Sequence, residues 1–139
     1  MVVKPTGLTR AGESTDRKDM ADVTVKRVEE LESYANQFYY AARGLGVTAW
    51  GMNVLKLPPN WADYPDHDHA ADGQEEVYVV LAGSATLQAD GEKWNLEPGT
   101  LARVGAAQKR KIVPGAEGVT ILALGGTPGK AYEPPKRSK

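Results

Sequence analysis

The chain has 139 residues, of which 41% are hydrophobic, and its formal net charge is −1. This length suits one globular domain with its own core, and the near-neutral charge favours neither a nucleic-acid nor a membrane-surface partner. The absence of cysteine excludes disulfides, zinc fingers and a thiol nucleophile. No apolar run approaches the roughly 18 residues of a membrane-spanning helix, and the N-terminus lacks the apolar segment of a signal peptide, so we expect a cytoplasmic protein.

The N-terminal part divides into two predicted segments. Residues 1–22 mix charged and small residues without periodicity, which predicts a flexible arm. Residues 23–44 are expected to form a strand and a short helix that pack on the main domain. The alternation of valines over residues 23–25 predicts the strand. The helix is predicted from apolar residues at helical spacing, namely Val28, Leu31, Ala35 and Phe38.

Residues 45–126 show the pattern of an all-β domain. Turn signals recur roughly every 8–12 residues without a long helical pattern, which favours a sandwich or barrel of antiparallel strands. The pair Asp90-Gly91 lies between two strand-like runs and is typical of a tight hairpin. Residues 127–139 form a tail rich in proline and glycine, which we expect at the surface.

The two histidines of the chain, His67 and His69, stand just before a strand-like run. A period of two places both on one strand face, and it places Glu76, Tyr78 and Val80 on one face of the next strand. Two imidazoles and a carboxylate that converge inside a barrel form the donor set of a two-histidine, one-carboxylate site. Such a set suits Fe(II), and also Mn, Ni, Cu or Zn.

These residues resemble a known motif. Its members here are His67, His69, Glu76 and Gly83. The order His-x-His, then Glu, six residues and Gly resembles the first motif of the cupins. The gap before the glutamate is longer than usual in that family, so Gln74 and Glu75 are rival ligands by spacing. Glu76 is preferred because the Glu-x6-Gly half fixes the strand register.

Residues 97–112, EPGTLARVGAAQKRKI, resemble the second cupin motif. Gly105 stands where proline is common, Ala107 where glycine is common, and Arg110 where the family places its remaining histidine ligand. The resemblance covers roughly residues 45–125. It implies a double-stranded antiparallel β-barrel, the jelly roll, and a homodimer as in other small cupins.

Arg110 leaves two arrangements open. A guanidinium stays protonated and offers only donors, so it cannot coordinate a metal, and the usual four-ligand site cannot form. Arg110 either swings aside from a three-ligand metal or fills the metal position and pairs with Glu76 in a metal-free barrel. Alternation directs Arg110 inward and Lys109 and Lys111 outward, so these three residues do not form a nucleic-acid patch.

Two classes of function follow. The first is a metal-dependent enzyme of the dioxygenase, isomerase or decarboxylase type, acting on a small polar or carboxylated molecule. His67, His69 and Glu76 would hold the metal, and Arg110 would bind a substrate anion. The alternative is a metal-free cupin that binds a small molecule through Arg110 and Glu76 without catalysis.

Further residues are expected around the ligand or at a subunit interface. Trp50, Met52 and Tyr78 are predicted to line the barrel and face the substrate. The opposite side of the same strand carries Val77, Val79 and Leu81. This apolar face needs cover, which a second sheet, the N-terminal segment or a partner subunit could supply. The expected partners are therefore a small-molecule ligand and a second copy of the chain, with no nucleic acid and no membrane.

Overall fold

The computed structural model describes residues 21–135. Residues 1–20 of the arm predicted over residues 1–22, and the last residues of the predicted tail, lie outside this range. No helix in the range is long and apolar enough to cross a membrane. The first element of the described range is a 3-10 turn, Val28–Glu30, and one short helix, α1 (Ala41–Leu45), occurs among the strands of this range. The strands are β1 (Ser33–Tyr34), β2 (Phe38–Tyr39), β3 (Gly51–Leu57), β4 (Glu75–Ala89), β5 (Glu92–Leu96), β6 (Leu101–Val104) and β7 (Lys111–Gly126).

Two long strands organise an entirely antiparallel sheet with the order β1-β2-β3-β7-β4-β5. Strands β4 and β7, of 15 and 16 residues, pair along most of their length. The other edge of β4 is shared, because β6 pairs with its first half and β5 with its second. Register shifts after Val80 and after Gly83 bend the long pair. The sheet therefore curves around a core, as expected for an all-β antiparallel jelly-roll barrel.

Alternation along β4 separates an inner from an outer face, as predicted. Tyr78 and Val80 are buried, Val77 and Val79 are half-buried, and Leu81 is 52% exposed. The inner side chains belong to the main core. Its buried members are Leu55, Leu57, Tyr64, Tyr78, Val80, Ala85, Leu87, Leu96, Val104, Ile112, Val119, Ile121 and Ala123.

Two turn features of the sequence are confirmed. Asp90 and Gly91 have φ angles of 53° and 77° and connect β4 to β5, as a tight hairpin of the primed type requires. Gly83 has a φ of 74°, and a Cβ there would overlap the carbonyl oxygen of Gly118 on the paired strand. The glycine of the Glu-x6-Gly motif is thus required by backbone geometry at the bend.

The predicted strand over residues 23–25 is wrong. Val23 and Val25 lie in irregular backbone and are 71% and 85% exposed. No strand pairs with this segment in the described part of the chain, and an extended segment without a pairing partner is not stabilised as a strand.

The predicted helix from Val28 to Phe38 is also wrong. After the 3-10 turn, the segment forms the hairpin of β1 and β2, which turns at Ala35 and Asn36 with φ angles of 57° and 55°. Strand β2 then extends the sheet by pairing with β3. Pairing with the sheet is favoured here over the helix that the spacing of apolar residues predicts. In β2, successive side chains point to opposite faces, so each can pack into a different apolar cluster. Phe38 packs on the main core, and Tyr39 packs on the outer face of β3.

Candidate metal centre

The segment that carries the two histidines is a loop pinned to the end of the barrel. His67 forms an isolated backbone bridge with Arg110, with N–H to O distances of 3.0 and 2.8 Å. The N–H of His69 donates to the carbonyl of Ala106 at 2.8 Å. This segment is not a strand, so the prediction that alternation along a strand brings the two histidines together is wrong. Pairing with residues 106–110 brings the two rings together, at a centroid distance of 5.2 Å.

The structure brings His67, His69 and Glu76 together. One ligand atom from each lies within 4.8 Å of the others. The Nε2 atom of His67 is 4.0 Å from Oε1 of Glu76, and the Nε2 atom of His69 is 3.5 Å from Oε2. The three side chains are 29%, 22% and 16% exposed, so they are partly shielded and still reachable. This group could hold a metal ion.

Each histidine is anchored through its other ring nitrogen. The Nδ1 atom of His67 lies 3.1 Å from the carbonyl oxygen of Pro65. The Nδ1 atom of His69 lies 3.3 Å from a carboxylate oxygen of Asp72. Both oxygens are acceptors, so an N–H on Nδ1 satisfies them, and Nε2 of each ring is directed toward Glu76. Such anchoring by a carbonyl or a carboxylate is the usual outer partner of a metal-binding histidine.

Two buried phenols lie next to the carboxylate of Glu76: Tyr78 contacts it, and Tyr64 interacts with Tyr78. The hydroxyl of Tyr78, which is 1% exposed, donates to Oε1 of Glu76 at 2.7 Å. Burial raises the pKa of Tyr64 to about 12, and burial together with Tyr64 and Glu76 raises the pKa of Tyr78. Both phenols therefore stay protonated at neutral pH, so Tyr78 remains a donor to the carboxylate.

Asp72 is held as a carboxylate beside His69. Burial acts to raise its pKa, but the backbone N–H of Gln74 and the His69 ring outweigh burial, so the pKa of Asp72 is lowered. The Gln74 N–H donates to Asp72 Oδ1 at 3.2 Å, which fixes the carboxylate in a local turn. The loop AADGQE, which lengthens the gap between histidine and glutamate, thus supplies the partner of a candidate ligand.

Arg110 lies inside the barrel, as alternation predicts, while Lys109 is exposed. Its side chain is 0% exposed, and it is the one buried charged residue in the described range. Nη2 donates to the carbonyl of Gly105 at 3.2 Å and lies 3.9 Å from Oε1 of Glu76. Nε and Nη1 are buried without a hydrogen-bond partner. The guanidinium therefore lies beside the candidate ligands with unused donors.

The rival ligands point elsewhere. Glu75 pairs with Arg103 at 2.7 Å on the outer side of the sheet. The amide nitrogen of Gln74 donates to Asp72 at 3.1 Å. Of the three acceptors that spacing allows, Glu76 is the one that meets both histidines.

Two residues expected in the barrel lie outside it. Trp50 precedes β3 and is 47% exposed. Met52 packs on the outer cluster that contains Tyr39 and Val54. The prediction that both residues line the barrel is wrong. Leu55 and Leu57 of β3 belong to the main core, so Met52 and Val54, on the alternate positions, face outward.

Sequence reasoning missed the roles of Tyr64 and Asp72. Tyr64 lies in a loop without periodicity, and nothing local indicates that it packs 5.7 Å from the ring of His67. Asp72 is one of several loop acids, and only its spacing of three residues from His69 could have distinguished it.

Comparison with solved structures finds cupins. A cupin protein from Bacteroides fragilis matches with a TM-score of 0.61 and 21% identity, over 80% of this chain and 93% of the other. A sugar phosphate isomerase from a cupin superfamily, from Silicibacter pomeroyi, matches with a TM-score of 0.56 and 23% identity, over 63% of this chain and 57% of its own. KdgF from Halomonas sp. gives 0.51 and 16%, over 57% and 69%. No protein-family model matches the sequence, and no curated protein matches it significantly.

The superpositions define the class of fold. At these identities they show a shared architecture, and that architecture is the cupin β-barrel. The chain therefore has the cupin fold, as the spacing of His67, Glu76 and Gly83 predicted. The barrel places a possible histidine and glutamate metal group at one end, with a buried arginine beside it.

Proposed function

We propose that the protein is a small metal-dependent cupin enzyme that acts on a small polar or carboxylated molecule. The observation that carries this proposal is the arrangement of the two histidines. Each is anchored through Nδ1 and directs Nε2 toward Glu76. Packing alone does not require three donor atoms to converge in this way, whereas a metal site does.

The donor set fits a divalent transition metal, with Fe, Mn, Ni, Cu and Zn all compatible with two imidazoles and one carboxylate. When bound, such an ion would supply Lewis acidity to an oxygen atom of the ligand. The protein residues have separate tasks. Tyr78 holds Glu76 in place through a hydrogen bond, and Pro65 and Asp72 fix the histidine rings.

Arg110 supports an anionic substrate class. Its Nε and Nη1 donors are buried without partners, and a buried N–H group without a partner costs about 1–3 kcal/mol. A carboxylate or another small anion would satisfy these donors through charge-assisted hydrogen bonds. The isomerase among the structural neighbours illustrates that this fold can carry chemistry on a small anion, although a shared fold does not assign the reaction.

Metal content tests the proposal directly. Purified wild-type protein, analysed for elements before and after titration with Mn²⁺ or Ni²⁺, is expected to bind about one ion per chain. His67→Ala, His69→Ala and Glu76→Gln should each abolish stoichiometric binding. Asp63→Asn, which changes an exposed acid in the same loop, should leave binding intact. A wild-type protein that binds no ion under these conditions contradicts the proposal.

One observation favours the metal-free binding function as a second candidate. The Arg110 guanidinium is within ion-pair distance of Glu76, so it competes with a cation for that carboxylate. In this alternative, the wild type holds no metal, and small carboxylates raise its melting temperature in an Arg110-dependent manner.

We further propose a homodimer formed through the outer face of the sheet. Leu101 on β6 pairs with Val79 on β4, which pairs with Leu122 on β7, so these residues form one apolar row. Val28 and Leu31 of the N-terminal segment belong to the same cluster as Leu122, at one end of the row. Leu101, at the other end, remains 68% exposed. A second copy would cover this end through the same surface.

A further inference from the structure

Two of the three residues in the cross-strand row that ends at Glu76 are glycines. Gly51 on β3 pairs with Gly125 on β7, which pairs with Glu76 on β4. Cross-strand partners share a face, and here it is the inner face that carries the Glu76 carboxylate. A Cβ at Gly125 would lie 2.8 Å from Oε1 of Gln74 and 3.6 Å from Cγ of Glu76, so the Gln74 side chain covers this glycine beside the carboxylate. Gly51, at the other end of the row, leaves an opening on the inner face of β3.

The C-terminal segment returns across this opening. After β7, the hydroxyl of Thr127 donates to the carbonyl of Asp72 at 2.9 Å, and Lys130 N–H donates to Thr127 in a turn. The phenol of Tyr132 then lies on Gly51, where two ring carbons and the hydroxyl oxygen are 3.1–3.2 Å from the position of a Cβ. Tyr132 thus occupies the space that a side chain at Gly51 would fill.

Burial and charge distinguish Tyr132 from the rest of this segment. Among residues 128–135, it is the one that is not exposed. Its pKa is raised by burial, with Arg43 lowering it and Asp72 raising it, so the hydroxyl is protonated and lies near both charged groups. Asp72 also holds the Nδ1 of His69, so the carboxylate that acts on Tyr132 is the anchor of a candidate ligand.

We propose that residues 127–135 form a strap across the mouth of the barrel, and that Tyr132 closes the mouth over the His67, His69 and Glu76 group. Thr127 anchors one end of the strap to the loop of Asp72, and the Tyr132 ring seals against Gly51. A small ligand or ion enters when the ring lifts from Gly51. This inference rests on the proposed function, because it assigns the closure of that same site.

Metal exchange kinetics test the closure. The rates of Ni²⁺ uptake and of Ni²⁺ release into EDTA are measured for the wild type, Tyr132→Ala and Gly51→Ala. Gly51→Ala keeps the tyrosine at position 132 and displaces its ring. Both variants should exchange Ni²⁺ faster in both directions by about tenfold, since loss of the ring packing favours the open state. The equilibrium affinity should not change, because a gate affects uptake and release equally. Tyr34→Ala, at an exposed tyrosine far along the sheet, is the control and should match the wild type.

Trypsin cleavage of metal-free protein after Lys130 gives a readout that does not depend on metal. Both variants should be cut there faster than the wild type and the control, because the undocked strap is more accessible. Unchanged exchange rates, or faster release with weaker affinity and unchanged uptake, would overturn the gate. If the wild type binds no Ni²⁺, the proposed function fails, and cleavage alone decides the strap: faster cutting supports docking by Tyr132, and equal cutting refutes it.

Discussion

Replacing Arg110 by methionine tests most directly whether the buried guanidinium opposes a metal ion at Glu76. The substitution keeps an unbranched side chain of similar length in a buried position and removes the positive charge. In the wild type, Nη2 of Arg110 lies 3.9 Å from Oε1 of Glu76, and Arg110 is 0% exposed. A metal ion bound by Glu76 must compete with this cation and also experiences its repulsion.

The distance sets the size of the effect. Two unit charges about 4 Å apart interact by about 4 kcal/mol at an effective dielectric constant near 20. Complete relief of this competition would raise metal affinity about a thousandfold. Because the Glu76 side chain is 16% exposed, water screens part of the interaction. We therefore expect Arg110→Met to bind Ni²⁺ about 100-fold more tightly than the wild type.

The unfolding free energy should change little in the same variant. Arg110→Met deprives Glu76 of a charged partner, but the carboxylate keeps the Tyr78 hydrogen bond. It also removes two buried N–H groups that lack partners. The desolvation of a buried ion pair largely offsets its attraction, so these effects nearly balance. Arg110→His goes further, since it supplies a third imidazole as a fourth ligand and should bind Ni²⁺ more tightly than Arg110→Met.

Isothermal titration with Ni²⁺ measures these affinities, with thermal unfolding of the apoproteins run in parallel. Arg103→Met is the matched control. Its arginine pairs with Glu75 on the outer face, is 64% exposed, and should leave Ni²⁺ affinity unchanged. Equal or weaker Ni²⁺ binding by Arg110→Met would refute the reasoning. It would mean that Arg110 does not oppose a metal ion at Glu76.

Four further predictions concern the carboxylate, the buried phenols, the bend and the outer face. Tyr78→Phe removes the hydrogen bond to the carboxylate ligand and should weaken Ni²⁺ binding by about 10–100-fold in the same titration. The pKa values of Tyr64 and Tyr78 are raised in the folded state. The contribution of these two protonated phenols to the unfolding free energy is therefore fully present below about pH 10 and is lost as the pH rises further. Denaturant melts should show a loss of about 1.4 kcal/mol per pH unit for each phenol above pH 10, and a flat profile there would contradict their burial. Gly83→Ala should lower the unfolding free energy by at least about 2 kcal/mol in urea titrations, because its Cβ overlaps the carbonyl oxygen of Gly118 in a left-handed backbone. Leu101→Asp should convert a dimer to a monomer in sedimentation velocity, and a wild type that sediments as a monomer would rule out the proposed interface.

Features that depend on local periodicity and turn chemistry were predictable from the order of residues. Alternation in β4 separates inner from outer residues whatever surrounds the strand, because successive side chains point to opposite faces. The Asp90-Gly91 hairpin and the glycine at the bend follow from φ angles that few other residues adopt. The same alternation directed Arg110 inward, and motif spacing brought His67 and Glu76 into one group.

Features that depend on contacts between distant segments were not predictable in this way, because they arise from the folded barrel. The histidine loop converges because it pairs with residues 106–110, and no period in the loop itself shows this. The segment predicted as a helix became a hairpin because β2 gains a partner in β3, an energy that local spacing does not contain. The ring of Tyr132 reaches Gly51 across about 80 residues of sequence. Such contacts form only when the folded barrel brings both partners together, so the sequence could supply the residues of the candidate site but not its closure.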